Sequence, residues 1–86
     1  MFAAMEECSG LRGDFDRIHW FRSPDHSLGG AGAGTEAVAR WVGPHDIFLA
    51  SRVVQIEAVS TIEHEMLHDI TQSPEHGEVF TRCRVL

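Results

Sequence analysis

A run of residues with helical spacing, from about 53 to 71, constrains the fold of this chain more than any other feature. Its apolar side chains fall within about 140° of a helical wheel. They are Ile56, Val59, Ile62, Met66, Leu67 and Ile70. Such an arc predicts one long helix with a single face against a core. Ser73 and Pro74 follow, and a proline inside a helix removes a hydrogen bond and clashes with the preceding turn. The helix is therefore predicted to end before Pro74.

Shorter stretches complete the outline of the domain. Alternation of apolar and polar residues predicts three strands, at about 16–22, 35–42 and 46–50. Two short helices are predicted outside them, at 1–9 and 75–83. Gly10 suits the C-cap of the first helix, and the glycine-rich stretch 28–34 is predicted to be a flexible loop. Short strands followed by helices favour an α+β fold, in which residues 1–86 form a single small domain with the helices on one face of the sheet.

The long helix carries two histidines and a glutamate as His64, Glu65 and His68. The two imidazoles lie about 40° apart on the wheel and one turn apart along the axis, so they stand side by side. Both nitrogens can then reach one metal ion at about 2.0–2.1 Å. Glu65 lies about 60° from His68, close enough to reach a water on the metal without taking a ligand position. An H-E-x-x-H pattern on a helix therefore predicts two zinc ligands and a general base.

A third protein ligand is expected, because catalytic zinc sites combine three protein ligands with one water. His76 is the leading candidate. In a straight helix it would lie about 12 Å beyond His68 along the axis, but a break at Ser73 and Pro74 allows the chain to turn back. A neutral imidazole is the favoured donor near pH 7. Three alternative ligands are also near in sequence: Glu75, Glu78 and Cys83.

The segment HEMLHDITQSPEHGEVF resembles the active-site segment of zincin metallopeptidases. Its H-E-x-x-H followed by H-G-x-x-F is most similar to SprT-like and other short zincins, and the resemblance covers about residues 41–83. It implies peptide-bond hydrolysis with Glu65 as the catalytic residue. The zinc ligands that it implies are His64, His68 and His76. It also implies that the strand before the active-site helix, residues 46–50, borders the cleft and pairs with an extended peptide or protein substrate. Neither the subfamily nor the substrate is specified, since Thr71 and Pro74 replace the glycine and histidine of the metzincin pattern.

Other side chains have candidate roles around such a site. A zincin often stabilises the developing oxyanion with Tyr, His or Arg, and this chain has no tyrosine. Three residues remain for that role: Arg40, His45 and Arg52. Asp69 either accepts a hydrogen bond from a ligand imidazole or is solvated, and the sequence favours neither. Trp20 and Trp41 are predicted to pack in the core of the sheet face.

The composition limits partners and location. The formal net charge is −6 and all seven basic residues are arginine, so no basic face for nucleic acid is evident. No apolar run approaches the roughly 18 residues of a membrane span, and the start does not resemble a signal peptide. These features favour the cytoplasm slightly and leave the compartment open. Cys8 and Cys83 are predicted with equal weight as a disulfide or as two free thiols.

Two functions are consistent with these patterns. The first is a zinc-dependent metallopeptidase in which Glu65 activates a water. The second is a zinc-stabilised binding module without turnover, because so small a core gains folding free energy from a metal. The two hypotheses share their ligands and differ in whether Glu65 acts as a base.

Overall fold

The computed structural model of the chain describes residues 1–24, 38–55 and 58–85. The predicted loop at 28–34 lies outside these residues, as do 35–37 of the second predicted strand and Ile56 of the long helix. In chain order the elements are α1 Phe2–Ser9, a 3-10 turn Phe15–Arg17, β1 His19–Arg22, β2 Ala39–Val42, β3 Asp46–Leu49, α2 Ser51–Gln55, α3 Val59–Thr71 and α4 Glu78–Arg82. This small three-stranded sheet with four helices confirms the predicted α+β fold class.

The three strands are ordered β1–β3–β2 in the sheet. β3 pairs in parallel with β1, where Trp20 lies opposite Ile47, and antiparallel with β2, where Trp41 lies opposite the same residue. The strand predicted at 46–50 is confirmed as β3, but it is the central strand of the sheet and offers no open edge to the substrate that was expected to pair with it. The backbone hydrogen-bonding groups of β3 are used on both sides by neighbouring strands, and the edge beside α3 belongs to β2.

One face of the sheet is buried and the other is open. Ile47 and Leu49 point into the core and are 0% and 6% exposed. On the opposite face the rings of Phe21 and Phe48 stack with centroids 4.7 Å apart, and Phe21 is 44% exposed. This asymmetry agrees with the predicted packing of helices on one side.

The helix predicted at 53–71 is not continuous, although 53–55 and 59–71 are helical as predicted. α2 ends at Gln55 and α3 begins at Val59, because Ala58 between them has a non-helical ψ of 78°. The Ala58 N–H instead reaches back to the carbonyl of Val53, at 3.2 Å. The predicted end of the helix is confirmed, since α3 ends at Thr71 and is followed by Gln72 in the left-handed conformation at φ 54°.

The remaining predicted elements differ mainly in length. Gly10 ends α1 in the left-handed conformation, at φ 74°, as predicted. The first strand begins only at His19, because the Asp14 side chain caps the 3-10 turn by accepting the N–H of Asp16. The short helix predicted at 75–83 is limited to α4, and Gly77 before it has an extended conformation.

The core consists of two apolar clusters that meet along α3. The first joins α1, the second half of α3, α4 and the chain after it, through Met5, Leu67, Ile70, Phe80 and Val85. The second lies between the sheet and α2, through Ile18, Ile47, Leu49 and Val53. Trp20 and Trp41, both half-buried, pack against the second cluster, as predicted.

A disulfide between Cys8 and Cys83 joins the end of α1 to the end of α4, with Cα atoms 5.6 Å apart. This settles the two alternatives for these residues. The bond closes a loop with a sequence separation of 75 residues, so most of the chain lies inside it. Among the described residues, no helix is long and apolar enough to cross a membrane.

Because the disulfide constrains the unfolded chain, replacing both cysteines (Cys8→Ser with Cys83→Ser) should destabilise the metal-free protein by about 4 kcal/mol. Urea unfolding followed by circular dichroism measures this loss. Treating the wild-type protein with a phosphine reductant should reproduce most of it, and the double variant should not respond to the reductant. An unfolding midpoint that the reductant leaves unchanged would contradict the disulfide's role.

Candidate metal centre

α3 presents two histidines on neighbouring turns of one face. The Nε2 atoms of His64 and His68 are 3.2 Å apart, and their ring centroids are 4.8 Å apart. His68 is 5% exposed, whereas His64 is half-buried and lies nearer to solvent. The i, i+4 spacing therefore brings the two donor atoms together as expected from the sequence.

The end of α3 returns His76 to these two rings. Gln72 adopts the left-handed conformation, and the Ser73 hydroxyl accepts the N–H of Glu75 at 3.1 Å. The Nε2 of His76 then lies 3.1 Å from that of His64. The potential ligand atoms of His64, His68 and His76 all lie within 4.8 Å of one another. Three histidines are thus close enough to bind one metal ion.

The alternative third ligands do not join this cluster. Cys83 is bonded to Cys8 and has no thiolate to offer. Glu75 and Glu78 are both exposed, and within the described residues neither is part of the group that could hold a metal.

Two backbone carbonyls fix the tautomers of the ring pair on α3. The Nδ1 of His64 lies 2.8 Å from the carbonyl oxygen of Val85, and the Nδ1 of His68 lies 2.8 Å from that of Ser73. Carbonyl oxygens only accept hydrogen bonds, so each Nδ1 carries the proton. In the neutral rings both Nε2 atoms therefore present lone pairs to each other, an arrangement that a cation between them stabilises.

The distances fit a tetrahedral metal site. Nitrogen ligands at about 2.0–2.1 Å from zinc are about 3.3 Å from one another in a tetrahedron. The observed Nε2 separations are 3.1 and 3.2 Å. These two separations and the tautomers of His64 and His68 therefore suit a metal ion held by imidazoles, and backbone carbonyls such as those of Val85 and Ser73 are acceptors of the kind that orient ligand rings in metal sites.

Burial favours the neutral form of the His64 and His68 rings. Desolvation is the main cause that lowers the pKa of His64 and of His68, and the neighbouring imidazoles lower both further. The hydrogen bonds to Val85 and Ser73 act in the opposite direction and are outweighed. A neutral imidazole is the form that binds a metal, so the protein environment favours the ligand state.

The apolar ring of Phe80 packs against all three histidine rings. Its ring centroid lies 4.9 Å from His64, 4.7 Å from His68 and 5.2 Å from His76. The side chain is 0% exposed. Its role was not assigned from the sequence, although Phe80 closes the H-G-x-x-F pattern that carries the resemblance. The ring holds water away from one side of the ligand cluster.

Glu65 lies in the same groove and is 6% exposed. Burial raises its pKa from 4.5 to about 7, while a hydrogen bond from the backbone N–H of Trp41 lowers it in part. Without a cation the carboxyl group is therefore balanced between its protonated and ionised forms near neutrality. This matches what a general base at neutral pH requires.

Asp69 differs from both expectations for it. It is 2% exposed, so it is not solvated. It does not accept a hydrogen bond from the neighbouring His68, because the Nδ1 of that ring donates to the carbonyl of Ser73. Its carboxylate instead accepts from Trp41 Nε1 at 3.1 Å and from His45 Nδ1 at 3.1 Å. Asp69 thus fastens α3 to the β2–β3 hairpin.

Three residues were candidates for stabilising the oxyanion: Arg40, His45 and Arg52. Among the described residues, only Arg40 of these three lines the groove that holds Glu65. The groove has a volume of about 270 Å³ and is lined by Ala39, Arg40, Trp41, His64, Glu65, His68, Pro74 and His76. His45 is held by Asp69, and Arg52 is exposed on α2. The groove therefore runs between the edge strand β2 and the histidine cluster.

No family model, curated protein or solved structure matches this chain. What the site can do chemically follows from its own geometry.

The buried Glu65 predicts a pH-dependent stability difference between the metal-free wild type and Glu65→Gln. Because the folded-state pKa is raised from 4.5 to about 7, stability is fully present below pH 4.5 and is lost as pH rises towards 7. The full loss corresponds to about 3 kcal/mol. The variant should therefore match the wild type near pH 4.5 and exceed it near pH 8.

Chemical denaturation of the metal-free proteins at several pH values measures that difference. The lowered pKa values of His64 and His68 act the other way, removing stability as pH falls below 6.5. They contribute to both proteins and largely cancel in the comparison. A stability difference that stays constant from pH 4.5 to 8 would show that Glu65 is not desolvated.

Proposed function

We propose that this protein is a zinc-dependent metallopeptidase that hydrolyses peptide bonds. One observation supports this most directly: three Nε2 atoms converge, two of the contacts being 3.1 and 3.2 Å, in the groove that also holds the buried carboxyl group of Glu65. Three metal ligands with no general base nearby would favour a structural metal site. A general base with no metal ligands nearby would lack the metal that activates a water. The combination of ligands and base in one groove is what metal-assisted hydrolysis requires.

The proposed zinc ligands are His64, His68 and His76. Three neutral imidazoles suit zinc, and with three protein ligands one tetrahedral position is left for water or substrate. When bound, zinc would supply a Lewis acid that makes water more acidic and polarises a substrate carbonyl. The chain itself orients the rings through the carbonyls of Val85 and Ser73.

Glu65 is the proposed catalytic residue. Its carboxylate accepts a proton from the attacking water and later donates that proton to the nitrogen of the leaving amine. The backbone N–H of Trp41 binds the carboxylate and fixes its direction. A bound cation would favour the ionised form of Glu65, which is the form that can accept a proton.

The edge strand β2 is the proposed substrate platform, in place of residues 46–50. The carbonyl of Val38 accepts the N–H of Ala50 from the β3 side, and the alternation of an antiparallel pair then turns the backbone groups of Ala39 and Trp41 outwards. The Trp41 N–H is used by Glu65. An extended peptide would therefore pair with the N–H and carbonyl of Ala39 and the carbonyl of Trp41.

A zinc-stabilised binding module is the second candidate. The positions of the proposed ligands in the chain favour it. His64 and His68 lie on α3, whereas His76 lies in the connection to α4. A metal held there ties a five-residue helix to the core, so it stabilises the fold even without turnover. The two candidates differ in the consequence of losing Glu65.

Loss of the third ligand should lower metal affinity sharply. The wild type is expected to bind one zinc per chain, and His76→Ala should weaken the affinity by at least about 100-fold, because removal of a direct ligand costs more than loss of an outer partner. Elemental analysis after dialysis and competition with a chromophoric chelator measure both quantities.

His19→Ala is the matched control, because His19 lies on β1 and pairs with Asp46 at the surface. It should leave zinc stoichiometry and affinity unchanged. Equal zinc content in the wild type and in His76→Ala would refute the proposed ligand set.

Loss of the base should abolish turnover and spare metal binding. Zinc-loaded wild type is expected to cleave members of a mixed peptide library, followed by mass spectrometry. Glu65→Gln should reduce the cleavage rate by about 10²–10⁴-fold while retaining one zinc per chain. Glu78→Gln, at an exposed position on α4, serves as the matched control and should retain full activity.

Cleavage at the wild-type rate by Glu65→Gln would remove the base from the mechanism. A wild type that binds zinc, loses thermal stability with a chelator and leaves every peptide intact would instead support the binding module.

A further inference from the structure

We propose that Asp69 is a positioning residue, which acts through Trp41 to hold the edge strand β2 in register with the metal ligands and the base. The link between Asp69 and Trp41 stands on contacts within the chain. Its consequence for catalysis rests on the proposed peptidase function.

The carboxylate of Asp69 joins two elements that are far apart in sequence. It follows His68 directly on α3, and its side chain is 1% exposed. Its Oδ2 accepts the indole N–H of Trp41 at 3.1 Å, and its Oδ1 accepts from His45 at 3.1 Å. A buried carboxylate with such donors is stable only while they stay in place, so it fixes the β2–β3 hairpin against the helix.

Trp41 contacts two residues of the proposed site, His68 and Glu65. Its ring stacks on His68, with centroids 6.0 Å apart and planes inclined by 21°. Its backbone N–H binds the carboxylate of Glu65. One residue of β2 therefore contacts a metal ligand with its side chain and the base with its backbone, while Asp69 fixes the orientation of the indole.

The hairpin turn packs closely against one side of the Trp41 ring. A Cβ atom added at Gly43 would lie 3.0 Å from Cη2 and 3.3 Å from Cζ2 of Trp41, so the ring lies close against the turn. The side chain of Gln72 donates to the carbonyl of Pro44 at 2.7 Å and ties the same turn to the end of α3. The indole is thus packed against its own hairpin on one side and hydrogen-bonded to Asp69 at its N–H.

Binding of a peptide substrate would depend on the position of β2. Ala39 and Trp41 supply the outward backbone groups proposed to pair with the peptide, and Glu65 must lie opposite the scissile bond. Releasing the indole would loosen the base and the platform together. The expected signature is a fall in kcat at unchanged zinc stoichiometry, since His64 and His68 keep their own backbone acceptors.

The first measurement is hydrogen exchange of the two indole N–H groups by NMR. The Trp41 signal, identified by its loss in Trp41→Phe, should exchange at least about tenfold more slowly than that of Trp20, because its acceptor is buried. Asp69→Leu, which has no acceptor for the indole N–H, should remove most of that protection. A Trp41 indole that exchanges as fast as that of Trp20 in the wild type would overturn the proposal.

The second measurement is the visible absorption spectrum of the Co²⁺-loaded protein, which reports on the geometry of the ligand shell without turnover. Asp69→Leu, which has no acceptor, and Trp41→Phe should shift the bands in the same way, because each removes the hydrogen bond between these residues. Trp20→Phe is the matched control and should leave the spectrum unchanged. A spectrum that Asp69→Leu does not alter would also overturn the proposal.

The third measurement is turnover of a cleaved peptide. Asp69→Leu and Trp41→Phe should each lower kcat by about 10–100-fold, and the double variant should be no slower than the slower single variant, because both substitutions break one link. Additive losses would mean that Asp69 does not act through Trp41. If no peptide is cleaved by the wild type, the proposed function fails, while the exchange and cobalt measurements still decide the role of Asp69.

Discussion

The left-handed turn after α3 is the constraint on which the rest of the site depends. Gln72 ends the helix at φ 54°, and the next residue then turns its carbonyl back to the Nδ1 of His68. The same turn brings His76 beneath the two helical histidines. A helix that continued for one more turn would remove both the tautomer-fixing acceptor and the third ligand. Pro74 ensures that it cannot continue.

The site is also where the parts of a thin core meet. Phe80 belongs to the apolar cluster of α1, α3 and α4 and touches all three histidine rings. Val85 fills the same cluster with its side chain and accepts from His64 with its carbonyl. The disulfide at Cys83 holds the chain close to this carbonyl. Packing, cross-link and ligand orientation are therefore coupled, and a change in one is transmitted to the others.

The sequence predicted the parts of the site that depend on local spacing. Helical periodicity placed His64, Glu65 and His68 on one face, and the proline indicated where the chain must turn towards His76. Both are properties of a few consecutive residues, so tertiary contacts did not alter them. The α+β class followed in the same way from short strands and amphipathic segments.

What the sequence did not predict depends on pairing over long distances. The central place of β3 results from its parallel pairing with β1, across residues that include β2, and no local pattern in 46–50 distinguishes a central strand from an edge. The role of Asp69 required knowing that Trp41 lies opposite it, 28 residues away. Backbone acceptors such as the carbonyl of Val85 carry no sequence signal, because every residue has one. The helix break at Ala58 likewise lacks a glycine or proline to mark it.

Two arrangements in the proposed site are unfavourable in the protein alone. Two lone pairs face each other at 3.2 Å, and a carboxyl group is buried deeply enough to raise its pKa to about 7. Each is improved by a nearby cation, which attracts the lone pairs and favours the ionised carboxylate. Folding therefore brings together groups that a bound divalent metal would stabilise, so under the proposed function metal affinity and stability would be linked in this domain. Asp69 is the exception, since its buried charge is satisfied by Trp41 and His45. The hydrogen bonds of Asp69 behind the histidines are thus complete without a metal, whereas the groups that face the groove would be completed by one.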